Sequence, residues 1–368
     1  SLLYPEKNIP LFPLDICSSM SKTLIIAEKP SVATDIQKAL GGMSRVKSDA
    51  GDYFEGEQYV VASAVGHLLE LAVPEKYDVK RGKWTFAHLP LIPPEFTLKP
   101  IAKSESRLKL LAKLIRRKDI GCLINACDAG REGELIFRYI VQATKAKQPI
   151  KRLWLQSMTQ ASIRSAFEHL RSDQEMQPLA QAARSRSEAD WLVGINGTRA
   201  MTAFNSKNGG FFLTTVGRVQ TPTLAVVVSR EVEIRAFKPR DYWQVEADFS
   251  AGAGEYAGVW FNPSFKKGAD LDDKADRIWS GEKAQEIRAK CDGKTGAVRE
   301  TKKRVKHAAP PLFDLTTLQR EANNRFGYTA KTTLALAQAL YEKHKVLSYP
   351  RTDAKCLPTD YVENARST

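Results

Sequence analysis

The strongest constraint on the fold is a set of three short, β-branched apolar runs, each ending abruptly in charged or glycine-rich sequence. Thr23-Leu-Ile-Ile-Ala27 runs into Glu28-Lys29-Pro30-Ser31, and Tyr59-Val-Val-Ala-Ser-Ala-Val65 runs into Gly66-His67. Cys122-Leu-Ile-Asn-Ala-Cys127 runs into Asp128-Ala-Gly-Arg-Glu-Gly-Glu134. Apolar runs of this length suit strands covered on both faces, as in parallel sheets. After the first, a helix is expected through Leu40, where Gly41-Gly42 stops it. After the third, Leu135, Ile136, Tyr139 and Ile140 have helical spacing. Strands alternating with helices predict an α/β domain with a mainly parallel sheet.

Ligands of such sheets gather at the carboxyl ends of the strands. Glu28 and Asp128 both stand there, and Glu132 opens the following helix. Three carboxylates converging at that edge suit a hard divalent ion, Mg²⁺ first among them. Asp128 and Glu132 also suit plain helix N-terminal capping, which the helix dipole favours. Glu28 at the sister strand end tilts the reading toward metal.

Beyond this domain, residues 156–205 read as helices rich in polar and basic groups, including the stretch from Ala183 to Gly194. Thr215-Val-Gly-Arg-Val-Gln220 follows. Its small residues let backbone approach a partner, and Arg218 and Gln220 supply donors of the kind that position phosphate. A solvated arginine on a turn is the plainer alternative. From Asp241 the apolar period becomes two (Trp243, Val245, Ala247, Phe249), Gly252-Ala-Gly254 signals a turn, and Tyr256 to Phe261 returns as strand. Helical patterning resumes near Glu282, and a basic run, Thr301-Lys-Lys-Arg-Val-Lys306, precedes Pro310-Pro311.

In the last segment, Leu315, Leu318, Ala322 and Phe326 share one helical face stopped by Gly327, and Thr329 can cap a second helix through about Glu342. A short strand carrying Tyr349 should follow, making a helix-turn-helix or winged-helix unit. Pro350 biases Tyr349 toward extended backbone, which would point Tyr349 and Arg351 the same way. A phenol beside a guanidinium suits an attacking oxygen beside a phosphate clamp, although packing is the commoner role of a lone tyrosine.

Charge narrows the partner class. Among 368 residues, 56 Lys and Arg stand against 42 Asp and Glu, a net charge of +14. That excess points to a polyanion, nucleic acid first. No apolar run approaches the ~18 residues of a membrane span. The five cysteines (Cys17, Cys122, Cys127, Cys291, Cys356) form no Cys-x-x-Cys pair or zinc spacing, and read as reduced cytoplasmic thiols. No Gly-x-x-x-x-Gly-Lys loop signals an ATP site. Met20-Ser-Lys-Thr-Leu-Ile-Ile has the look of a true start, which makes 1–20 an upstream, disordered segment. The end at Asp360–Thr368 begins like an uncapped helix, so a fragment is expected.

Six motifs occur in series: Glu28-Lys-Pro-Ser31, Gly66-His-Leu-Leu-Glu70, Asp128-Ala-Gly-Arg-Glu-Gly-Glu134, Asp190-Trp-Leu-Val-Gly-Ile-Asn196, Val216-Gly-Arg-Val-Gln-Thr-Pro222 and Ser348-Tyr-Pro-Arg-Thr-Asp353. In these the chain resembles the type IA DNA topoisomerases, and within them the bacterial topoisomerase III branch, from about Lys22 to its end. The resemblance implies a multidomain α/β and α+β fold, part of a four-domain toroid. It implies a Toprim domain over 21–155, the first part of a helical DNA-groove domain over 156–235, the first part of a β-rich arch over 236–303, and the start of a winged-helix-like tyrosine domain over 304–368.

The implied activity cuts one strand of single-stranded or underwound DNA, holds its 5′ phosphate on tyrosine, passes a strand and reseals with Mg²⁺ but without ATP. The protein would be a cytoplasmic, nucleoid-associated monomer with no membrane partner. A tyrosine of pKa ~10 is only about a thousandth ionised at neutral pH, so attack needs cationic help and the leaving hydroxyl a proton donor. The resemblance assigns Tyr349 as nucleophile, Arg351 as phosphate clamp, Lys29 as stabiliser of phosphoryl charge and Glu28 as the acid. Glu28, Asp128 and Glu132 would hold Mg²⁺. His67, Arg184, Arg186, Asp190, Thr215, Val216, Gly217, Arg218, Val219, Gln220 and Arg351 match positions that line the family's single-strand groove. One departure stands out: Gly130 replaces the middle carboxylate of the usual acidic triplet, which should weaken metal binding or shift it toward Glu28 and Glu134. The alternatives are a Toprim-type metal-dependent nuclease or primase, and a catalytically incomplete single-stranded-DNA-binding fragment.

Overall fold

A computed structural model describes residues 21–73, 84–268, 270–344 and 346–367. The upstream segment expected over 1–20, with Cys17, lies outside the described residues.

The first half of the chain runs β1 (Lys22–Ala27), α1 (Pro30–Leu40), β2 (Met43–Val46), β3 (Tyr53–Gly56), β4 (Tyr59–Ser63), β5 (Leu69–Leu71) and β6 (Leu98–Pro100). It continues through α2 (Glu105–Ile115), β7 (Ile120–Ala126), α3 (Arg131–Thr144), β8 (Ile150–Arg152), α4 (Gln160–Glu168), β9 (Arg171–Ser172) and the long α5 (Asp173–Asn205). Seven strands form one sheet in the order β2-β3-β4-β1-β7-β8-β9. Its centre, β4-β1-β7-β8, is parallel, and β2, β3 and β9 are antiparallel additions at the edges.

Burial on both faces explains the unbroken apolar run of β1. Leu24 and Ile26 meet Leu111 and Ile115 of α2 and Phe137 and Ile140 of α3 on one side. Ile25 and Ala27 meet Val32 and Ile36 of α1 and Ile163 of α4 on the other. Pro30 takes the first turn of α1, where a missing N–H is harmless, and Gly41, at φ 70°, ends it. The register sets Ala27 beside both Ser63 and Ala126, so Glu28 and Cys127-Asp128 leave the sheet at one level.

At the opposite end of β1, Lys22 and Arg117 clamp Glu55, with N–O distances of 2.6 Å each. Hydrogen bonding from Arg117, then from Lys22, holds the Glu55 carboxyl down to about 2 despite partial burial. An unfolded glutamate titrates near ~4.3, so the stabilisation is fully present above that value and is lost as pH falls toward about 2. Thermal midpoints should therefore drop through that window, and Glu55→Gln should flatten the drop. An unchanged acid profile in Glu55→Gln would show that other carboxylates dominate it.

Contacts divide the chain into two compact units, one comprising 222–309 and the other the remainder. Most of α6 (Gln220–Ala236) belongs to the smaller unit, with a hairpin of β10 (Glu246–Ala251) and β11 (Gly254–Val259) and the helix α7 (Gly281–Cys291). The expected period-two strand is thus shorter than its pattern, because Trp243 makes only an isolated bridge to Ile278. Phe249 and Tyr256 pair across the hairpin with ring centroids 5.1 Å apart.

In the larger unit, α8 (Leu315–Phe326) ends at Gly327, φ 67°, and Thr329 caps α9 (Ala330–Ala339) by accepting from the Thr332 N–H. A π turn over Leu340–His344 extends α9, and a short α10 (Val362–Ser367) closes the described chain. The strand expected around Tyr349 is not formed among the described residues. A strand needs a neighbouring ladder, and Pro350 and Pro358 withhold donors here. Instead the Leu312 and Leu315 N–H groups donate to Lys355 O (3.2 Å) and Thr352 O (3.0 Å), holding the segment against the start of α8. Two helices of the predicted helix-turn-helix are present without the wing strand. Among the described residues no helix is long and apolar enough to cross a membrane.

Candidate active site

The carboxyl edge of the sheet brings together groups more than three hundred residues apart. Glu28 and Lys29 follow β1, and Asp128 follows β7. The Lys29 ammonium donates to Asp128 Oδ2 at 2.7 Å and lies 3.5 Å from Tyr349 Oη. It also stands 4.5 Å from the centroid of the Tyr349 ring. Tyr341, in the π turn, also packs against Tyr349 in a T-shaped pair with centroids 5.5 Å apart. The Tyr349 ring thus has both a cation and an aromatic ring in attractive contact. Burial pulls the Lys29 ammonium pKa down, but its hydrogen bond to Asp128 and the charges of Asp128 and Glu28 outweigh it, and the net shift is upward. Lys29 is a fixed cation, unfit to accept a proton.

Glu28 has the opposite character. Its side chain is 15% exposed, its Oε1 lies 4.0 Å from the Lys29 ammonium, and its buried Oε2 has no hydrogen-bond partner among the described residues. Burial, then the Asp128 charge, raises its pKa, against the pull of Lys29 and of the Asp128 backbone N–H. A carboxyl so placed keeps a proton to higher pH than a free one, as a general acid must.

The loop carrying Asp128 is shaped from beneath. Gly133, in the first turn of α3, lies so near that an added Cβ would sit 2.2 Å from the Asp128 carbonyl oxygen. Arg152, 1% exposed, donates to the carbonyls of Asn125 (2.9 Å), Cys127 (2.7 Å) and Asp128 (2.7 Å). Glu134 is fully buried and accepts from Asn125 Nδ2 (2.9 Å) and Arg138 Nε (2.8 Å), with Arg152 Nε 3.5 Å away. The expectation that Glu134 substitutes for the missing middle carboxylate is corrected by this: its oxygens are already committed inside the protein. Burial pushes the neighbouring Cys127 thiol well up, so it stays protonated.

Of the three expected metal ligands, Glu28 and Asp128 adjoin one another. Glu132 instead meets His67 at 2.5 Å. His67 is presented by a left-handed turn, with Val65 at φ 61° and Gly66 at φ 90°, a strained conformation for a β-branched residue. Among the described residues no three His, Cys, Asp or Glu side chains are gathered as a metal cage. The orphaned Glu28 Oε2 beside Asp128 is nonetheless the hard-oxygen donor pair a divalent ion satisfies.

Apart from His67 and Arg351, the groove candidates lie on α5 and on the segment packed against it. Arg184 pairs with Glu188 at 2.7 Å, Arg186 is exposed, and Asp190 pairs with Arg218. The Val216 N–H donates to Thr198 Oγ1 (3.0 Å), and the Gly217 N–H to Thr221 Oγ1 (3.1 Å). Gly197 allows this seating, since a Cβ there would stand 2.7 Å from Val216 Cγ1. Thr215, Val219 and Gln220 are exposed. A cleft of about 340 Å³ opens between α5 and the strand-end loops, lined among others by His67, Glu132, Arg186, Asp190 and Trp191. Arg351 does not join Tyr349 at Lys29. It is exposed and without an ion pair among the described residues. Sequence reasoning missed Tyr341, Arg152, Gly197 and Thr198. Arg152 reads as one more basic residue in Ile150-Lys-Arg-Leu, and nothing around Tyr341 marks it out.

Comparison with known proteins identifies the family. A family described as DNA topoisomerase matches residues 174–368, more than half of the chain, and the Toprim domain family matches 23–158. The chain is 41% identical over 345 residues to DNA topoisomerase 3 of Bacillus subtilis (strain 168), covering 93% of this chain and 44% of that protein. It is 39% identical over 348 residues to DNA topoisomerase 3 of Shouchella clausii (strain KSM-K16), covering 94% of this chain and 45% of that protein. It thus spans less than half the length of these relatives. Full-length topoisomerase I from Thermotoga maritima superposes with a TM-score of 0.58 at 25% identity, over 94% of this chain and 52% of that one.

Proposed function

The chain belongs to the DNA topoisomerase family, and on that premise we propose that it carries the strand-cleaving centre of an ATP-independent type IA enzyme acting on single-stranded or underwound DNA. The observation that carries the reading is the placement of Tyr349 Oη 3.5 Å from an ammonium that also holds Asp128 at a strand end. In this scheme Tyr349 Oη attacks the scissile phosphorus, the phenolic proton passes to solvent, and the P–O3′ bond breaks. Glu28 gives its proton to the leaving 3′ oxygen and takes it back on resealing. Lys29 stabilises charge on the phosphoryl oxygens without exchanging its proton. Arg351 is exposed near the tyrosine and would clamp phosphate once DNA fills the site.

Glu28 and Asp128 would hold Mg²⁺, joined by Glu132 on release from His67. When bound, the ion supplies charge neutralisation and alignment of the ends for resealing. His67, Arg184, Arg186, Asp190, Arg218 and the Thr215–Gln220 segment would line the strand. Domain limits at 21–155, 156–235, 236–303 and 304–368, strand passage by the whole ring, a monomeric state and a cytoplasmic, nucleoid-associated location belong to the same reading. A Toprim nuclease or primase has no use for a tyrosine seated against Lys29, and this favours the topoisomerase.

The test uses the whole protein, 3′-labelled single-stranded DNA and a denaturing quench. Label should become covalently attached, and relaxation of an underwound circle should need Mg²⁺ but not ATP. Strict ATP dependence, or products without attachment, would end the proposal. Gly130 offers a second check, since a Cβ there meets nothing within 4 Å and its φ of 173° is ordinary extended backbone. Gly130→Asp should therefore fold, cap α3 and add a carboxylate, lowering the Mg²⁺ concentration for half-maximal resealing by about tenfold. An unchanged Mg²⁺ requirement would place the metal away from this loop.

A further inference from the structure

We propose that Arg152 and Glu134 are positioning residues of the strand-end site, a buried ion pair that fixes the Cys127–Asp128 backbone and ties it, through Arg138, to Asp173 at the start of α5. The proposal rests on the reading of the preceding subsection for its catalytic consequence, though not for its geometry.

Its basis is where the bonds go. Among the described residues, every hydrogen bond that the Arg152 guanidinium donates ends within Asn125–Asp128: three carbonyls and Asn125 Oδ1 at 3.0 Å. Asn125 Oδ1 also accepts from the Cys127 N–H at 3.1 Å, so side chain and backbone brace the same turn. The guanidinium also lies over the Trp154 ring, 5.1 Å from its centroid. A buried ion pair is poor evidence of stability, because desolvation consumes most of its attraction and an apolar pair often does as well. What it supplies here is direction. A lysine in place of Arg152 would have a single head and could not reach three diverging carbonyls. The Asp128 carboxylate, whose backbone is held this way, is the group that holds Lys29 beside Tyr349.

The outward link runs along α3. Glu134 accepts from Arg138 on the next turn, and Arg138 Nη1 lies 2.6 Å from Asp173 Oδ1. Asp173 is the first residue of α5, which also bears Arg184, Arg186 and Asp190. A strand settling against α5 would thus be mechanically continuous with the loop that positions Lys29. Partial exposure of Arg138 and Asp173, at 19% and 39%, makes that end open to mild substitution.

The experiment compares the whole protein with Arg152→Met/Glu134→Gln, which removes both charges at near-constant volume, and with Arg138→Gln, Asp173→Asn and their double. Three readouts are taken: single-stranded oligonucleotide affinity, Tyr349 attachment rate at saturating oligonucleotide, and hydrogen exchange at the Cys127 and Asp128 amides without DNA or metal. The neutral pair should bind DNA within about twofold of the parent while attachment slows by about tenfold or more and exchange accelerates. Arg138→Gln and Asp173→Asn should each slow attachment about threefold, and the double no more than either, because they break one link. A core role alone would lower the melting temperature and leave the saturated rate unmoved. Unchanged rate and exchange in the folded neutral pair overturn the proposal. Should that pair not fold, unchanged exchange at Asp128 in Arg138→Gln overturns it equally. If the parent forms no attachment at all, the topoisomerase reading fails, while the exchange measurements still decide the clamp.

Discussion

Tyr349→Phe is expected to abolish covalent attachment of 3′-labelled DNA while leaving DNA binding within about twofold, since binding and bond-making draw on different groups. The phenyl ring keeps both of its packing partners, the Lys29 ammonium 4.5 Å from the centroid and the edge of Tyr341. Only the oxygen 3.5 Å from Lys29 disappears. Residual attachment at or above a hundredth of the parent rate would mean another nucleophile and would sink the assignment. Lys29→Met is the companion. It removes the cation from both Asp128 and the phenol, and loss of one such preorganised charge lowers rates by about 10²–10³-fold. Because Lys29 stays protonated, the loss should be similar across neutral pH and should not recover as pH rises. Recovery at high pH would recast Lys29 as a base.

Gly133→Ala should be damaging out of proportion to its size, since among the described glycines an added Cβ comes nearest to another atom here. The new Cβ would lie 2.2 Å from Asp128 O, 2.7 Å from Asp128 N and 3.0 Å from Asp128 C, all backbone atoms. Alanine is the better helix former by ~1 kcal/mol, but forced overpacking against backbone costs about 1–3 kcal/mol, and here the displaced atoms belong to the site. The Asp128 carbonyl would have to leave Arg152 Nη2, now 2.7 Å away, and carry the carboxylate off Lys29. Melting should fall by several degrees and attachment by at least about tenfold. Gly130→Ala, three residues earlier in open space, is the control and should do little. Equal behaviour of the two alanines would show that the loop relaxes freely.

Much of this site is legible in the sequence. Continuous apolar runs ending at Glu28 and Asp128 require a strand buried on two faces, and a parallel sheet places such ends together because its registers align. Helix stops at Gly41 and Gly327 and the cap at Thr329 follow from local backbone chemistry alone, and all three are observed. The strand at Tyr349 misled, because extended preference before a proline says nothing about a partner strand. Period-two patterning at Trp243 misled for the same reason.

What local sequence determined, then, is the elements and the edge of the sheet where chemistry collects. Tertiary structure alone decided which charges meet there. Lys29 takes Asp128 and touches Tyr349, Glu132 turns to His67, and Glu134 is drawn into the core by Arg152 and Arg138. The physical reason is that pairing of long charged side chains depends on distances of a few ångströms between segments far apart in the chain. No periodicity or motif spacing encodes those distances; they exist only once the sheet has closed over its core.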